Sequence, residues 1–307
     1  MNKNSKIYVA GSSGMVGSAI VRKLKKNGYQ NIIESNSHDL DLINQNDVNN
    51  FFDKHCFDYV FVAAAKVGGI LANSTKKADF IYQNLQIQNN LIHYSWKTNV
   101  KKLLFLGSSC IYPKDSRIPI KESELLSGKL EETNDAYAIA KIAGIKMCQS
   151  YRQQHGFNAI SIMPTNLYGY NDNFDLQASH VIPALIRKFT EAKKINDPEV
   201  ICWGSGTPLR EFLFVDDLAD ACIFLMKEYN DGEHVNVGTG IDISILELSE
   251  KIKKITGFEG EIVWDKSKPD GTKRKVLDVS KINHLGWKSK VSIDEGLELT
   301  IDWYTNE

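Results

Sequence analysis

The stretch Ile7-Tyr-Val-Ala-Gly-Ser-Ser-Gly-Met-Val-Gly17 decides the fold of this chain. A short apolar run ends at the first of three glycines, and a helical pattern follows. In such a unit the first glycine permits a tight turn, the second lets the backbone approach a pyrophosphate, and the third lets helix pack on strand. A glycine triplet alone is also found in ordinary strand-to-helix turns, but its place after the first strand predicts a dinucleotide site. The residues predicted to form that site are Gly11, Ser12, Ser13, Gly14, Met15, Val16 and Gly17.

Short β-branched and aromatic runs alternate with longer helical patterns along the first half of the chain. Apolar residues in the longer stretches recur at helical spacing, and this alternation is typical of a parallel sheet built from βαβ units. The predicted strands are Lys6–Ala10, Asn31–Glu34, Tyr59–Ala63, Lys102–Leu106 and Ala159–Met163, and the predicted helices are Met15–Asn27, Phe80–Lys97 and Tyr137–His155.

After Met163 glycines and prolines divide the chain into shorter segments, which is typical of a smaller lobe placed over the strand ends. The sequence therefore predicts an α/β protein with a Rossmann-type doubly wound parallel sheet and a smaller α+β substrate lobe. Residues 1–165 should form the dinucleotide-binding domain, with a returning segment near 207–236. Residues 166–307 should form mainly the substrate lobe. The charge-dense loop Lys266–Lys275 is predicted to be a solvated turn.

Composition excludes several classes of protein. With 307 residues, 42% of them hydrophobic, the chain can bury a large core, and its net charge of −1 recruits neither nucleic acid nor an anionic membrane. Its apolar runs are too short for a signal peptide or a membrane span, so we expect a cytoplasmic protein. Cys110 aside, the single, unpaired cysteines are expected to be small buried residues, with neither disulfides nor a metal site. These four are Cys56, Cys148, Cys202 and Cys222.

The choice between NAD and NADP should be made at the end of the second strand, where an acid binds the ribose or other groups bind the 2′-phosphate. Glu34 is a candidate for the ribose acid, but it could equally point away from the site. Ser35, Ser37 and His38 could hydrogen-bond a phosphate, although no arginine accompanies them. This stretch leaves both cofactors open.

Tyr137 and Lys141 lie four residues apart in a predicted helix, so both side chains share one face. A neighbouring ammonium should favour the phenolate and bring Tyr137 toward the pKa range of an acid–base catalyst. The pair arises often by chance on amphipathic helices. Together with the glycine triplet and Gly107-Ser108-Ser109 after the fourth strand, it predicts a site where Tyr137 and Ser108 share a substrate oxygen.

Several longer strings of the sequence resemble the GDP-L-fucose synthase family of extended short-chain dehydrogenases, and the similarity covers essentially the whole chain. Members of that family are GDP-4-keto-6-deoxy-mannose 3,5-epimerases and 4-reductases. These strings mark that branch more specifically than the glycine triplet does. They are Ala63–Gly69, Leu106–Pro113, Tyr137–Lys146, Met163–Gly169, Ser179–Leu185, Trp203–Phe212 and Pro269–Thr272.

The resemblance implies epimerisation and reduction in one pocket. Cys110 and His180 match the family's epimerisation pair, in which one group removes the proton beside the C4 ketone and the other returns a proton on the opposite face. A thiolate or imidazole can do this near neutral pH. Without the resemblance Cys110 would be interpreted as a buried strand-end residue and His180 as a residue at a helix start.

The resemblance also implies the binding residues. It places the nicotinamide ribose on Tyr137 and Lys141, and it favours NADP(H), while NAD(H) stays open because the arginines that many bacterial members place around the adenosine phosphate are missing here. Further expected cofactor contacts are Ser37, Leu106, Gly107, Ser109, Pro164, Thr165, Asn166 and Leu167. Expected contacts of the GDP-sugar are Lys188, Trp203, Arg210 and Asp270.

Two other functions compete with this one. A reductase of another GDP-sugar, such as a deoxyheptose or a colitose precursor, could share these motifs, because one extra group on the sugar changes few contacts. A non-catalytic dinucleotide-binding protein would share the glycine turn but has no need for Ser108, Tyr137 and Lys141. The resemblance further implies a homodimer built on helices that include Phe80–Lys97 and Tyr137–His155.

Overall fold

The computed structural model describes residues 1–176, 179–268 and 270–306, and of Ile70 and Leu71 it describes the backbone alone. The strands are β1 Ile7–Ala10, β2 Ile32–Glu34, β3 Tyr59–Val62, β4 Lys102–Leu106, β5 Ala159–Pro164, β6 Asn166–Tyr168, β7 Glu199–Trp203, β8 Leu209–Phe214, β9 Val235–Val237, β10 Asp242–Ser244, β11 Glu261–Asp265 and β12 Arg274–Lys275. The helices are α1 Met15–Lys26, α2 Gln45–His55, α3 Ile70–Thr75, α4 Lys77–Lys97, α5 Asp135–His155, α6 Val181–Ile195, α7 Val215–Glu228, α8 Ile245–Thr256, α9 Ser280–His284 and α10 Ile293–Asn306.

The central sheet has six parallel strands in the order β2-β1-β3-β4-β5-β9. Strands β1, β4 and β5 are buried along their whole length, which is why they appear in the sequence as continuous apolar runs. Strand order reverses between β1 and β3, and in open α/β sheets ligands bind outside the carboxyl ends of the strands at such a point. The predicted fold class is confirmed.

Helices cover both faces of this sheet. Helix α1 packs against α7, while α4 packs against both α2 and α5. Right-handed crossovers on the two sides of β1 place α1 and α2 on opposite faces. The strands and helices predicted from the sequence are all present, with ends that differ by at most three residues.

A second core lies beyond β5, in the part of the chain where glycine and proline shorten the elements. Strand β8 pairs with β10, β12 and β6, and β7 pairs with β11. Apolar side chains of α6, α8 and α10 pack around these strands. The fully buried members of this core include Ile182, Ile186, Phe189, Leu248, Ile252 and Leu297.

One cysteine contradicts the expectation of burial. Cys148, Cys202 and Cys222 are buried, but Cys56 is exposed. It ends α2 in a left-handed conformation, with a φ of 51°, and this surface turn leads into β3. The five cysteines are all free thiols. Within the described residues, no helix has the length and apolar character needed to cross a membrane, and no cluster of ligating side chains could hold a metal ion.

Candidate active site

The three glycines of the first turn differ in the space available for a side chain. Gly11 has a φ of +81°, and a Cβ there would lie 2.7 Å from the backbone nitrogen of Ala64 on the neighbouring strand end. A Cβ on Gly17 would lie 2.0 Å from the carbonyl oxygen of Gly11. At Gly14 the nearest atom would be 3.5 Å away, an ordinary contact. The fold requires Gly11 and Gly17, whereas the space around Gly14 would admit a side chain.

The start of α1 suits an anion. Its N-cap, Gly14, offers no side chain to the first backbone N–H groups, and Ser13 and Gly14 are exposed. These N–H groups and the helix dipole attract negative charge. Ser12 is buried and its hydroxyl donates to the carbonyl oxygen of Ser35 at 3.2 Å, so it joins the turn to the end of β2. The turn, with Met15 and Val16 half-buried behind it, fits a dinucleotide pyrophosphate.

Glu34, the candidate ribose acid at the end of β2, forms an ion pair within the protein. The Glu34 carboxylate accepts from the ammonium of Lys25 at 2.8 Å. The Ser35 hydroxyl lies 2.8 Å from the Tyr8 hydroxyl. Ser37 and His38 are exposed. Glu34 is exposed as well, but its carboxylate is paired with Lys25.

Helix α5 carries Tyr137 and Lys141 beside the end of β4. The Lys141 ammonium donates to the carbonyl oxygen of Leu106 at 2.7 Å and lies 5.7 Å from the centre of the Tyr137 ring. Burial lowers the pKa of Lys141 to about 8, and the nearby Cys110 thiolate raises it. These contacts bring the predicted pair together.

The prediction that the pKa of Tyr137 is lowered is wrong. Burial raises the pKa of Tyr137 above its ordinary value, and the negative charge of Cys110 raises it further, while a hydrogen bond with Ser108 lowers it. Burial outweighs the neighbouring ammonium because removing a phenolate from water is costly. Tyr137 is thus held as the protonated phenol, the form that can donate a proton.

Ser108 and Cys110 stand on a 3-10 turn, Ser109–Ile111, that follows β4. The Ser108 hydroxyl accepts from the Cys110 backbone N–H at 3.3 Å and lies 3.0 Å from the Cys110 thiol. Together with the hydrogen bond to Tyr137, these contacts gather a hydroxyl, a thiol and a phenol in one place.

His180 is the N-cap residue of α6. The residue is exposed to solvent, and partial desolvation by the surrounding protein lowers the pKa of the imidazole. It is therefore neutral near neutral pH and able to accept a proton. Its pairing with Cys110 stays a prediction.

The remaining predicted cofactor residues lie at the carboxyl ends of β4 and β5, on the same edge of the sheet as Gly11. A Cβ on Gly107 would lie 2.3 Å from Cε of Met163, so a larger residue there would require the end of that buried side chain to move. The side chains of Thr165 and Asn166 donate to the carbonyl oxygen of Glu211 at 3.3 and 2.8 Å. Those donors are used within the protein. Leu106 and Ser109 are buried, while Pro164 ends β5 and Leu167 packs against the main core.

The predicted substrate residues gather around β7 and β8. The Lys188 ammonium donates to the carbonyl oxygen of Ile201 at 2.8 Å and lies 5.6 Å from the Trp203 ring, which is 58% exposed. Arg210 is half-buried, and burial lowers the pKa of its guanidinium. An exposed indole between cations can serve as a stacking platform, and a guanidinium beside it can bind phosphate.

Asp270 has a structural contact that the sequence did not indicate. Its carboxylate accepts from the backbone N–H and the hydroxyl of Ser205, at 2.6 and 2.8 Å, and so holds the turn that follows Trp203. Its own carbonyl oxygen accepts from Arg210 at 3.5 Å. Asp270 thus orders the platform residues. Pro269, which begins the quoted motif, lies outside the described residues.

Sequence reasoning missed Lys275. The loop containing it was predicted to be a solvated turn, but Lys275 is half-buried on β12, opposite Arg210 of β8. Burial lowers the pKa of Lys275, and the negative charges of Cys110, Glu131 and Glu211 raise it. This ammonium therefore stands between the Cys110 turn and Arg210. A two-residue strand is too short for a periodic signal, so only its place in a charged run could have drawn attention to it.

Comparison with known proteins agrees with this architecture. Residues 7–238 match the NAD dependent epimerase/dehydratase family. A putative GDP-L-fucose synthase 2 of Arabidopsis thaliana is 60% identical over 304 residues, which cover 99% of this chain and 93% of that protein.

Two solved structures extend the comparison. A GDP-6-OMe-4-keto-L-xylo-heptose reductase from C. jejuni is 40% identical with a TM-score of 0.95, covering 100% of this chain and 99% of its own. A GDP-L-fucose synthetase from Naegleria fowleri, solved with NADP bound, is 28% identical with a TM-score of 0.92 and covers 100% and 95%. Shared sequence and shared fold point the same way: this chain belongs to the NAD dependent epimerase/dehydratase family of extended short-chain dehydrogenases.

Proposed function

We propose that this enzyme reduces the C4 ketone of a GDP-linked 4-keto-6-deoxy sugar with NADPH, after epimerisation at C3 and C5, as a GDP-L-fucose synthase does. The observation that carries this proposal is the contact of Ser108 with Cys110, 3.0 Å apart, beside the protonated phenol of Tyr137. A reductase alone needs the hydroxyl and the phenol. The thiol adds a group that can act on a carbon-bound proton.

For the reduction, the Ser108 hydroxyl donates a hydrogen bond to the ketone oxygen, and Tyr137 donates the proton that this oxygen takes up. NADPH, when bound, supplies the hydride. Lys141 holds the nicotinamide ribose while its contact with the Leu106 carbonyl fixes its position. General acid catalysis of this kind contributes typically about 10²–10⁴-fold.

For the epimerisation, Cys110 and His180 are the acid–base pair. The ketone acidifies the hydrogens on its neighbouring carbons, and polarisation of its oxygen by Ser108 and Tyr137 increases that acidity. One of the pair removes the proton, and the other returns a proton on the opposite face of the ring. The neutral imidazole of His180 can accept a proton without prior deprotonation.

The dinucleotide is held by the turn Gly11–Gly17, by Leu106, Gly107 and Ser109 after β4, and by the segment Pro164–Leu167 after β5. Support for NADPH comes from the family, from the NADP in the Naegleria fowleri structure, and from the engagement of Glu34 by Lys25. Ser37 is the proposed hydroxyl at the 2′-phosphate. The GDP moiety is held by Lys188, Trp203, Arg210 and Asp270.

A second candidate is reduction of a GDP-4-keto-heptose without epimerisation. The 0.95 TM-score and 40% identity to the C. jejuni heptose reductase favour considering it. Sequence identity of 60% to a GDP-L-fucose synthase relative favours the first proposal. A non-catalytic dinucleotide-binding protein is disfavoured, because Ser108, Tyr137 and Lys141 are present, with Tyr137 hydrogen-bonded to Ser108 and its ring centre 5.7 Å from the Lys141 ammonium.

The proposal includes a homodimer formed through α4 and α5. These helices pack side by side and present Tyr82 and Ile139 outward, with exposures of 57% and 47%. We also propose that residues 1–165 with the segment near 207–236 form the dinucleotide-binding domain, and that the rest of 166–307 forms the substrate lobe. A cytoplasmic location is an expectation from the sequence alone.

The test is mass spectrometry of the products formed in deuterated water from GDP-4-keto-6-deoxy-mannose and from its heptose analogue. The proposal expects NADPH oxidation with the hexose and solvent deuterium at both C3 and C5 of the product. Reduction without deuterium at either carbon would establish the second candidate. Failure to oxidise NADPH with any GDP-4-keto sugar would overturn both.

A further inference from the structure

Glu211 is a fully buried carboxylate at the point where β8 changes partners. Residues Leu209–Glu211 pair with β10, and Arg210 pairs with Lys275 of β12, whereas pairing with β6 begins at Phe212. The exposure of Glu211 is 0%. It therefore sits between the strand that carries the GDP-binding cations and the segment that follows β5.

The side chain of Glu211 is held by backbone N–H groups from two separate parts of the chain. One carboxylate oxygen accepts from the backbone N–H of Gly240 at 2.8 Å, and the other accepts from the backbone N–H of Leu277 at 2.8 Å. A Cβ on Gly238 would lie 2.1 Å from the first oxygen, so the chain keeps a glycine where the carboxylate needs room. The main-chain carbonyl of Glu211 meanwhile receives Thr165 and Asn166.

A buried charge needs a reason, because a well-packed apolar side chain would avoid the desolvation cost. Burial raises the pKa of Glu211, and its backbone donors lower it. The bond from the backbone N–H of Leu277 to the carboxylate ties the segment just after β12 to β8, and within β12 Lys275 pairs with Arg210 of β8. Two adjacent cations repel, and a tether that holds their strands together opposes their separation.

We infer that Glu211 is a positioning residue for substrate binding, which holds β12 against β8 and so keeps Arg210 and Lys275 side by side for the diphosphate of the GDP-sugar. It acts through these two cations and touches neither substrate nor reacting atoms. The inference rests on the proposed function for the identity of the ligand. NADPH binding should change little when the side chain is altered. Thr165 also hydrogen-bonds to the carboxylate, but Thr165 and Asn166 both keep their contact with the main-chain carbonyl.

The test is the Glu211→Gln variant, which keeps the size of the side chain and removes its charge. Calorimetric titration with GDP and, separately, with NADPH gives binding without turnover, and steady-state kinetics with GDP-4-keto-6-deoxy-mannose give KM and kcat. We expect about a tenfold or greater rise in both the GDP dissociation constant and the sugar KM, with kcat and NADPH affinity within about threefold of wild type.

Asp217→Asn is the matched control for lost stability. Asp217 is also a buried carboxylate, 4% exposed, and accepts from two backbone N–H groups, those of Lys290 and Val291, at 2.7 and 2.9 Å. It should lose a similar amount of thermal stability and keep wild-type GDP binding. If Glu211→Gln does not fold, Gly238→Ala, which displaces the carboxylate by steric contact, should reproduce the weaker GDP binding.

The possible outcomes distinguish a failure of the role of Glu211 from a failure of the proposed function. Unchanged GDP affinity and KM in the folded Glu211 and Gly238 variants, with an active wild type, would overturn the role of Glu211 and leave the proposed function intact. Equal weakening of GDP binding by Asp217→Asn would also overturn it. A wild type that binds NADPH but neither binds GDP nor turns over the sugar would overturn the proposed function, and this inference with it.

Discussion

The hydroxyl oxygen of Ser108 lies 3.0 Å from the sulfur of Cys110, with both residues on the turn that follows β4. A ketone oxygen bound by Ser108 therefore places the carbons next to the ketone near the thiol. Reduction and epimerisation then share one bound sugar, and a change at Cys110 should alter one reaction more than the other.

Cys110→Ser should suppress deuterium incorporation at C3 and C5 by about 10²-fold or more, because a serine hydroxyl is a far weaker base than a thiolate at neutral pH. Hydride transfer should be less affected, because Ser108, Tyr137 and Lys141 remain. Mass spectrometry in deuterated water measures both. The control is Cys56→Ser, the same substitution at an exposed cysteine, which should behave as wild type. Equal loss of exchange and reduction would contradict the assignment of Cys110.

Tyr137→Phe should lower kcat for ketone reduction by about 10²–10⁴-fold, since the variant has no proton to give to the sugar oxygen. NADPH affinity, measured by fluorescence titration, should stay near wild type. Tyr151→Phe is the control on the same helix: its hydroxyl lies 2.8 Å from Nδ1 of His93, and its loss should leave kcat nearly unchanged. A loss in Tyr137→Phe smaller than about tenfold would remove this residue from the mechanism.

Gly14→Ala should weaken NADPH binding, whereas Gly17→Ala should destabilise the fold. The first places a Cβ 3.5 Å from its nearest neighbour, so the protein should fold normally, but NADPH affinity should fall about tenfold or more if a pyrophosphate approaches this backbone. The second places a Cβ 2.0 Å from the Gly11 carbonyl oxygen and should destabilise the fold by a few kcal/mol. Thermal melting and NADPH titration distinguish them. Normal NADPH binding by Gly14→Ala would place the pyrophosphate elsewhere.

The cofactor preference should favour NADPH over NADH in kcat/KM. Ser37→Asp should reverse part of this preference, because a carboxylate near the adenosine ribose repels a 2′-phosphate and accepts from a ribose hydroxyl. Glu34→Gln serves as the comparison, and because Glu34 pairs with Lys25 it should leave the preference unchanged. A wild type that prefers NADH, together with loss of NADH activity in Glu34→Gln, would assign Glu34 as the ribose acid.

Asp172→Asn should stabilise the protein above pH 7. Burial raises the pKa of Asp172 from 3.8 to about 7, and one of its oxygens is buried without a hydrogen-bond partner among the described residues. The folded protein keeps this proton longer than the unfolded chain does. The contribution of the Asp172 carboxyl group to the free energy of unfolding is therefore greatest below pH 3.8. It declines as the pH rises and levels off above about pH 7.

The stabilisation by Asp172→Asn should grow between pH 4 and 7 and then level off at about 1–2 kcal/mol, below the full value of the shift because solvent reaches this half-buried side chain. The difference in Tm between the two proteins, followed across this range, measures the effect. A difference that does not vary with pH would show that the carboxyl group is not protonated in the folded state.

The sequence by itself determined the central sheet, because β1, β4 and β5 are buried along their whole length and appear as continuous apolar runs, and because the glycine turn tolerates no Cβ at Gly11 or Gly17. It also predicted that Ser108, Tyr137 and Lys141 would meet, since the carboxyl ends of parallel strands share one edge and residues four apart share one helix face. The family resemblance supplied Cys110, His180 and the GDP-binding residues, which no local pattern indicates.

Only the tertiary structure decided what depends on contacts between distant segments. It showed that Glu34 is engaged by Lys25, that Asp270 holds the turn at Ser205, and that Cys56 is exposed. The tertiary structure also decided that the pKa of Tyr137 is raised, and that Lys275 lies near the buried carboxylate of Glu211. The physical reason is that desolvation and charge–charge energies depend on the surroundings of a side chain in space. Residues far apart in the sequence, such as Glu211 and Leu277, which are 66 positions apart, create those surroundings together.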